Sequence, residues 1–352
     1  MTAVDTTRAP VATPRPVGVG RLSLVELRRF LARSAIRWLL VGMLGIVGVM
    51  AYGAYSDTKP PTQAQLDEAQ RNFDEQMVYW QDGGEQQIQD CRDAEAAERE
   101  LHPDEQIDFG CETITPPQLE WFLPQRTTFA QSAAGWMGQA GTFGLMAALI
   151  IGATFVAAEF ASGSMSTWLT FEPRRGRVFA SKTAVAAGAT GVAVLAQAAS
   201  TVGVTCVAAR LNDALGDVTG AVWTDLAHRV LRAGAMGVAA AAIGAALAFL
   251  LRHTAAAIAV AFAWLVVVEN LLLALVDWYA RWAVSLNVRA WLQGGLEEQM
   301  GVTSCVTDSS GNTVCDGQTL VITMTQAGWY LVALVAVVVT VALLVFRRRD
   351  VS

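Results

Sequence analysis

Histidine is scarce in this chain: His102, His228 and His253 are the only three in 352 residues. No His-Glu-x-x-His, Gly-x-Ser-x-Gly or Cys-x-x-Cys pattern occurs either. Metal-assisted hydrolysis, a nucleophile-elbow hydrolase and a dithiol redox centre each need one of these arrangements, so catalysis and a bound metal are not expected. Charge is scarce too, at 16% of residues against 53% hydrophobic. The N-terminal stretch 1–20 lacks an apolar core ahead of a small-residue cleavage site, so a cleaved signal peptide is not expected. No internal repeat and no inverted duplication is visible.

What is abundant is apolar sequence gathered into runs close to or beyond the roughly 18 residues that mark a spanning helix. Six such runs are expected to cross a bilayer: 38–55, 138–158, 183–207, 233–251, 255–276 and 328–346. The first is expected to serve as an uncleaved insertion signal. The fold class is therefore an all-α polytopic membrane protein.

Basic residues orient the spans. Of the 25, seven arginines precede the first span, Arg174, Arg175, Arg177 and Lys182 follow the second, Arg252 follows the fourth, and Arg347, Arg348 and Arg349 follow the sixth. With six spans all four groups fall on one face, which places both termini in the cytoplasm. The acids lie opposite, 17 of 31 of them between Ser56 and Met137. That balance argues against a nucleic-acid partner. Cys91, Cys111, Cys305 and Cys315 all fall in the outer segments, where disulfides persist, and the expected pairs are Cys91–Cys111 and Cys305–Cys315. The second pair flanks a turn-rich stretch expected to form a hairpin. Cys206 stands alone inside the third span.

Between the spans, 1–20 reads as a disordered tail and 21–37 as a basic amphipathic helix on the inner surface. Segment 56–137 is expected to be a small helical outer domain, two helices broken at Gly83 and Gly84. An extracellular loop at 208–232, a tight turn at 252–254, an outer segment at 277–327 and a cytoplasmic tail at 347–352 complete the chain. Trp278, Trp282 and Trp291 suit a helix at the outer interface. Gly144, Ala148 and Gly152, and likewise Gly237, Ala241 and Ala245, are small residues four apart, a spacing that lets helices approach closely.

The segment 159–182, "EFASGSMSTWLTFEPRRGRVFASK", carries the most information. Its end, "GRVFASKT", approaches a phosphate-binding loop, but Ser181 stands where the second glycine is required and Lys182 leads into a span, so no nucleotide binding is expected. Glu159 closes the second span, a short surface helix follows, Pro173 ends it, and Arg175 and Arg177 lead to Lys182. A rigid helix fixed to two spans would act as a lever. The plainer reading is that the arginines only enforce topology.

The order Glu159, Gly163, Ser164, Leu169, Pro173, Arg175, Arg177, Lys182 resembles the first cytoplasmic loop of ABC-2 type transporter permeases. Ser164 replaces the commoner threonine, and the long acidic outer domain departs from the simplest members. The resemblance implies a coupling helix docking on a separate ATPase, two permeases, identical or paralogous, with two ATPases, and ATP and Mg on the partner rather than on this chain. It implies an exporter in a bacterial plasma membrane, moving an amphipathic or lipid-like molecule, peptide or antibiotic. The excess of arginine over lysine, with abundant Ala and Gly, fits a GC-rich genome such as an actinobacterium's. Glu269, followed by Asn270, is an acid deep in a span, and such a group is a functional-site candidate. It is expected either to face the substrate pathway or to pair structurally near the outer leaflet. The alternatives are a membrane-anchored binding or sensory protein working through its outer domain, and a secondary transporter or membrane enzyme. The last is disfavoured because no relay of acids and histidines accompanies Glu269.

Overall fold

In the computed structural model, residues 19–102, 107–307 and 313–349 are described, and among them six helical segments are long and apolar enough to cross a membrane. These are α2 (Ser34–Asp57), α5 (Phe129–Ala161), α7 (Arg175–Leu211), α8 (Gly220–Leu251), the segment Thr254–Leu275, and α12 (Met324–Arg348). The segment Thr254–Leu275 comprises α9 (Thr254–Phe262), a π-helical stretch Ala263–Val268, and α10 (Glu269–Leu275). Ahead of α2 lies α1 (Val19–Ala32), which ends one residue before Arg33, and Arg33 in extended conformation separates the two helices.

The centre of the bundle is α5, α7 and α8, and small residues set how closely they pack. A Cβ on Gly152 of α5 would stand 2.1 Å from the carbonyl oxygen of Ala241 in α8. One on Gly244 of α8 would stand equally near the carbonyl oxygen of Leu149, 2.1 Å. Backbone meets backbone there, which is the contact that small residues allow where lipid supplies no hydrophobic drive. Ala148, Ala241 and Ala245 are fully buried in the same seam. At one end of the bundle Phe160, Phe179, Phe249 and Phe346 form a knot joining α5, α7, α8 and α12, with ring centroids 4.5 Å apart for Phe179–Phe249 and 4.8 Å for Phe249–Phe346. By contrast Thr254–Leu275 exposes Val260, Trp264, Val266, Val267, Leu271 and Leu275.

The acidic segment after α2 differs from the expected helix pair. α3 (Gln63–Leu101) is one helix of 39 residues that runs unbroken through Gly83 and Gly84. Two glycines cost about 2 kcal/mol relative to alanine. The stripe Leu66, Ala69, Phe73, Met77, Trp80, Gly84, Ile88 and Cys91 is the less exposed face of the helix, with Ala69 and Gly84 buried. Trp80 folds across Gly84, where a Cβ would come within 2.5 Å of the indole. The covering layer is not a second long helix: it includes a single turn at Cys111–Thr113 and the short α4 (Leu119–Phe122). Phe73 packs edge-on against Phe122 at 6.0 Å, and a Cys91–Cys111 disulfide ties the helix to its return segment.

The stretch around the expected hairpin departs from the all-α fold class as an antiparallel strand pair, β1 (Gly295–Thr307) with β2 (Thr313–Thr323). It is preceded by α11 (Val284–Gln293). The hairpin's register sets Cys305 opposite Cys315. Their side chains lie outside the described residues, as does the turn 308–312.

Candidate functional site

The segment 159–182 folds as a helix end, a short helix and a helix start. α5 ends at Ala161, and Gly163 takes a left-handed conformation, φ +68°, with its N–H donating to the Phe160 carbonyl at 3.2 Å. Any L side chain is strained at that φ, which is why glycine stands there. α6 (Ser164–Phe171) follows. Ser164 and Ser162 share a hydrogen bond of 3.0 Å, and Ser166 donates to the Gly163 carbonyl at 2.7 Å. Pro173 lies in the gap before α7, which begins at Arg175. Arg177 and Lys182 are therefore part of the third spanning helix, not of a loop before it. The whole of Gly176–Thr183 is helical, so the near match to a phosphate-binding loop has no loop.

Within α6 the apolar residues divide. Met165 is buried, and Trp168 and Leu169 are half-buried against the bundle. Phe171 at the far end is 78% exposed. The residue order in the sequence singles out Leu169, but the side chain offered outward is Phe171.

Beneath α6 lies a buried set of charges. Lys182 is fully buried, and its Nζ donates to both carboxylate oxygens of Glu26, at 3.0 and 2.9 Å. The Oε2 of Glu159 stands 2.6 Å from the same Nζ, an ion-pair contact outside hydrogen-bond geometry. Arg33 reaches the other oxygen of Glu159 at 3.1 Å and the Thr154 carbonyl at 3.4 Å. Arg29, 3.9 Å from Glu26, lies over the Trp168 ring at 4.3 Å. Phe155 closes the group from below, with Phe30 against it at 5.3 Å. Two carboxylates and two cations thus neutralise one another while joining α1, the α1–α2 break, α5 and α7, and Arg29 carries the link to α6. Charges buried this way are tolerable only as a complete set, because each alone would cost several kcal/mol.

The sequence reading placed Glu159 and Lys182 here but not Glu26, Arg29 or Arg33. A signal was present: Glu26 is the only acid between Asp5 and Asp57, in a segment whose other charges are arginines. Arg175 and Arg177 are elsewhere. The Arg175 guanidinium donates to the carbonyls of Phe346, at 3.4 Å, and of Arg349, capping the end of α12. Arg177 lines a cleft beside it.

Glu269 and Asn270 lie near the opposite end of the molecule. Glu269 is fully buried, and its Oε1 accepts from the Ser285 N–H at 2.7 Å and from the Ser285 hydroxyl at 2.9 Å, at the first turn of α11. Its Oε2 has no partner among the described residues. The other end of α11 is held by Arg232 of α8, which donates to the carbonyls of Trp291 and Leu292 at 3.4 Å each, while the Trp291 indole donates back to the Arg232 carbonyl at 3.1 Å. An acid at the helix start and a base at its end both suit the helix dipole. Asn270 instead donates to the carbonyls of Leu265 and Val266, at 3.2 and 3.0 Å, within the π-helical turn. Burial pushes the Tyr279 phenol above its usual range, and the Glu269 carboxylate adds to that effect. Of the two readings left open for Glu269, the geometry supplies a structural partner.

A family model described as "ABC-2 family transporter protein" matches residues 23–351. Neither a curated protein nor a solved structure matches the chain significantly.

Proposed function

The chain belongs to the ABC-2 transporter family, a family of membrane-embedded transport components that generally work with an ABC ATPase, and we propose that it is the permease of an exporter coupled to a separate ATPase subunit through α6. The chain is a multi-pass membrane protein. On this reading its basic end faces the cytoplasm, both termini lie there, and two permeases, identical or paralogous, enclose the pathway.

The observation that carries the reading is the mounting of α6. It lies between two spanning helices, and the ion set Glu26–Lys182–Glu159–Arg33 fixes the bases of those helices to α1. A displacement imposed on α6 would reach α5 and α7 as rigid-body motion, because packed helices have a few discrete arrangements rather than a continuum. Phe171 is the apolar side chain exposed for a groove on the ATPase, and Gly163 and Pro173 bound the lever.

Affinity purification of the chain from its own membrane in mild detergent, followed by mass spectrometry, tests this. An ATPase subunit should accompany the native chain and be lost from Phe171→Asp while the variant keeps its elution profile. Leu169→Asp is expected to impair folding as well, because Leu169 packs inward. A native chain that brings no ATPase with it, or a Phe171→Asp chain that retains it fully, would sink the proposal.

A further inference from the structure

A second charged feature lies at the basic end. Pro173, Arg174, Arg175, Gly176 and Arg177 at the start of α7, with Arg347 at the end of α12, enclose an open cleft of about 510 Å³. That volume is within the range of about 300–1,000 Å³ typical of small-molecule sites. Arg175 is held across the cleft by the terminal carbonyls of α12, which fixes the two helix ends relative to each other. No acid among the described residues pairs with Arg174, Arg177 or Arg347. Arg33 and Lys182, at the same end, are both matched by glutamates.

Topology alone requires positive charge on this face but not its convergence on one cleft. The depth is informative. Arg347 directly follows Phe346, the last apolar residue of α12, and Arg177 directly precedes the buried Val178 and Phe179. The cleft therefore opens at the rim of the apolar belt, where lipid phosphates lie. The backbone amides do not supply the cradle, since the N–H groups of Arg175 and Arg177 already donate to Pro173 and Arg174 at 3.0 and 2.8 Å. Recognition would fall to the guanidinium forks, which match a phosphate's paired oxygens.

We infer that this cleft binds the phosphate of an anionic phospholipid headgroup, with Arg174, Arg177 and Arg347 as its donors. The site does not depend on α6 docking an ATPase, and its test needs no partner. The purified chain is placed in nanodiscs of equimolar phosphatidylglycerol and phosphatidylcholine, released, and its retained lipid read by native mass spectrometry. The native chain should hold phosphatidylglycerol in preference. Removing a surface-level arginine is worth about fivefold, so Arg174→Ala with Arg347→Ala should lower the preference roughly twenty-five-fold. Both side chains are exposed, so folding is not at stake. Arg348→Ala removes the same charge one residue away, outside the cleft, and should leave the ratio at its native value. An unchanged ratio in the double variant, or an equal loss in Arg348→Ala, would mean diffuse charge and overturn the proposal. Displacement of the lipid by millimolar inorganic phosphate would overturn the lipid assignment, because the cleft would then read a free anion.

Discussion

At the basic end of the bundle, Lys182 stands between Glu26 and Glu159, and both of these partners are side chains. At the opposite end, Glu269 is buried and Arg232 partly so, and both hold a single helix, α11: Glu269 through the Ser285 N–H and hydroxyl, Arg232 through the Trp291 and Leu292 carbonyls, with Asp225 of its own helix 3.9 Å away. Both arrangements compensate a buried charge, and they do so with different consequences. The first exists only while α1, α5 and α7 are docked together, so the end that carries α6 holds or releases as a set. The second clamps one helix whose terminal groups are present in any conformation that keeps the helix. If α6 couples the chain to an ATPase as proposed, the first is a transmitting end and the second a holding end, and the two would differ in this way.

The largest effect that would break the contrast is at the charge set. Lys182→Met leaves Glu159 with Arg33 and Glu26 with only the distant Arg29, and removing one member of a buried ion group costs about 3–5 kcal/mol. Thermal unfolding in detergent should show this as the steepest loss of any single substitution at either end. Adding Glu26→Gln to Lys182→Met should recover part of it, since the uncompensated charge goes with it. If Lys182→Met costs under about 1 kcal/mol, the set is solvated and the docking is not all-or-none.

That set also shows how far the sequence could be read. The six spans, the order of the 159–182 segment and the Cys91–Cys111 pair follow from runs and spacing along the chain, and each has its counterpart in the structure. Glu26 and Arg33 are separated from Glu159 by more than a hundred residues, and helical periodicity says which face a residue occupies but not which helix faces it. The phenylalanine knot is hidden for the same reason: its four members lie on four spans, where a phenylalanine is equally suited to lipid. Arg232 reads as one more charge near a span end. The unbroken course of α3 through Gly83 and Gly84 was missed because local propensity favours a break, and the Trp80 stripe that overrides it depends on the return segment.

A middling effect is expected at the holding end. Glu269→Ala removes the acceptor of two hydrogen bonds and leaves the half-buried Ser285 N–H without its partner, a cost of about 1–3 kcal/mol. Glu269→Gln keeps an acceptor oxygen and should retain most of the stability. Hydrogen exchange at Ser285 and the following turn should quicken in the alanine variant and stay near native in the glutamine one. Equal quickening in both would mean that charge, not the hydrogen bonds, is what the helix start requires, and would bring the holding end closer to the transmitting one.

The smallest effect sharpens the comparison from the other side. Arg232→Lys keeps the positive charge at the end of α11 but replaces a planar guanidinium, whose Nη1 reaches the Trp291 and Leu292 carbonyls together, with an ammonium on a flexible stem. Space beside that nitrogen is tight: Gly294, at φ +92°, passes so close that a Cβ there would stand 2.6 Å from the guanidinium. If the helix dipole supplies most of the attraction, lysine should serve nearly as well and the loss should stay within about 0.5 kcal/mol. If geometry supplies it, the loss should approach about 1 kcal/mol, the worth of one hydrogen bond, with exchange quickening at the last turn of α11 and not at its first. Geometry is the expected outcome, because the Arg232 Nη1 is placed to meet two carbonyls at once, whereas the indole bond of Trp291 goes to the Arg232 backbone carbonyl and is kept by either residue.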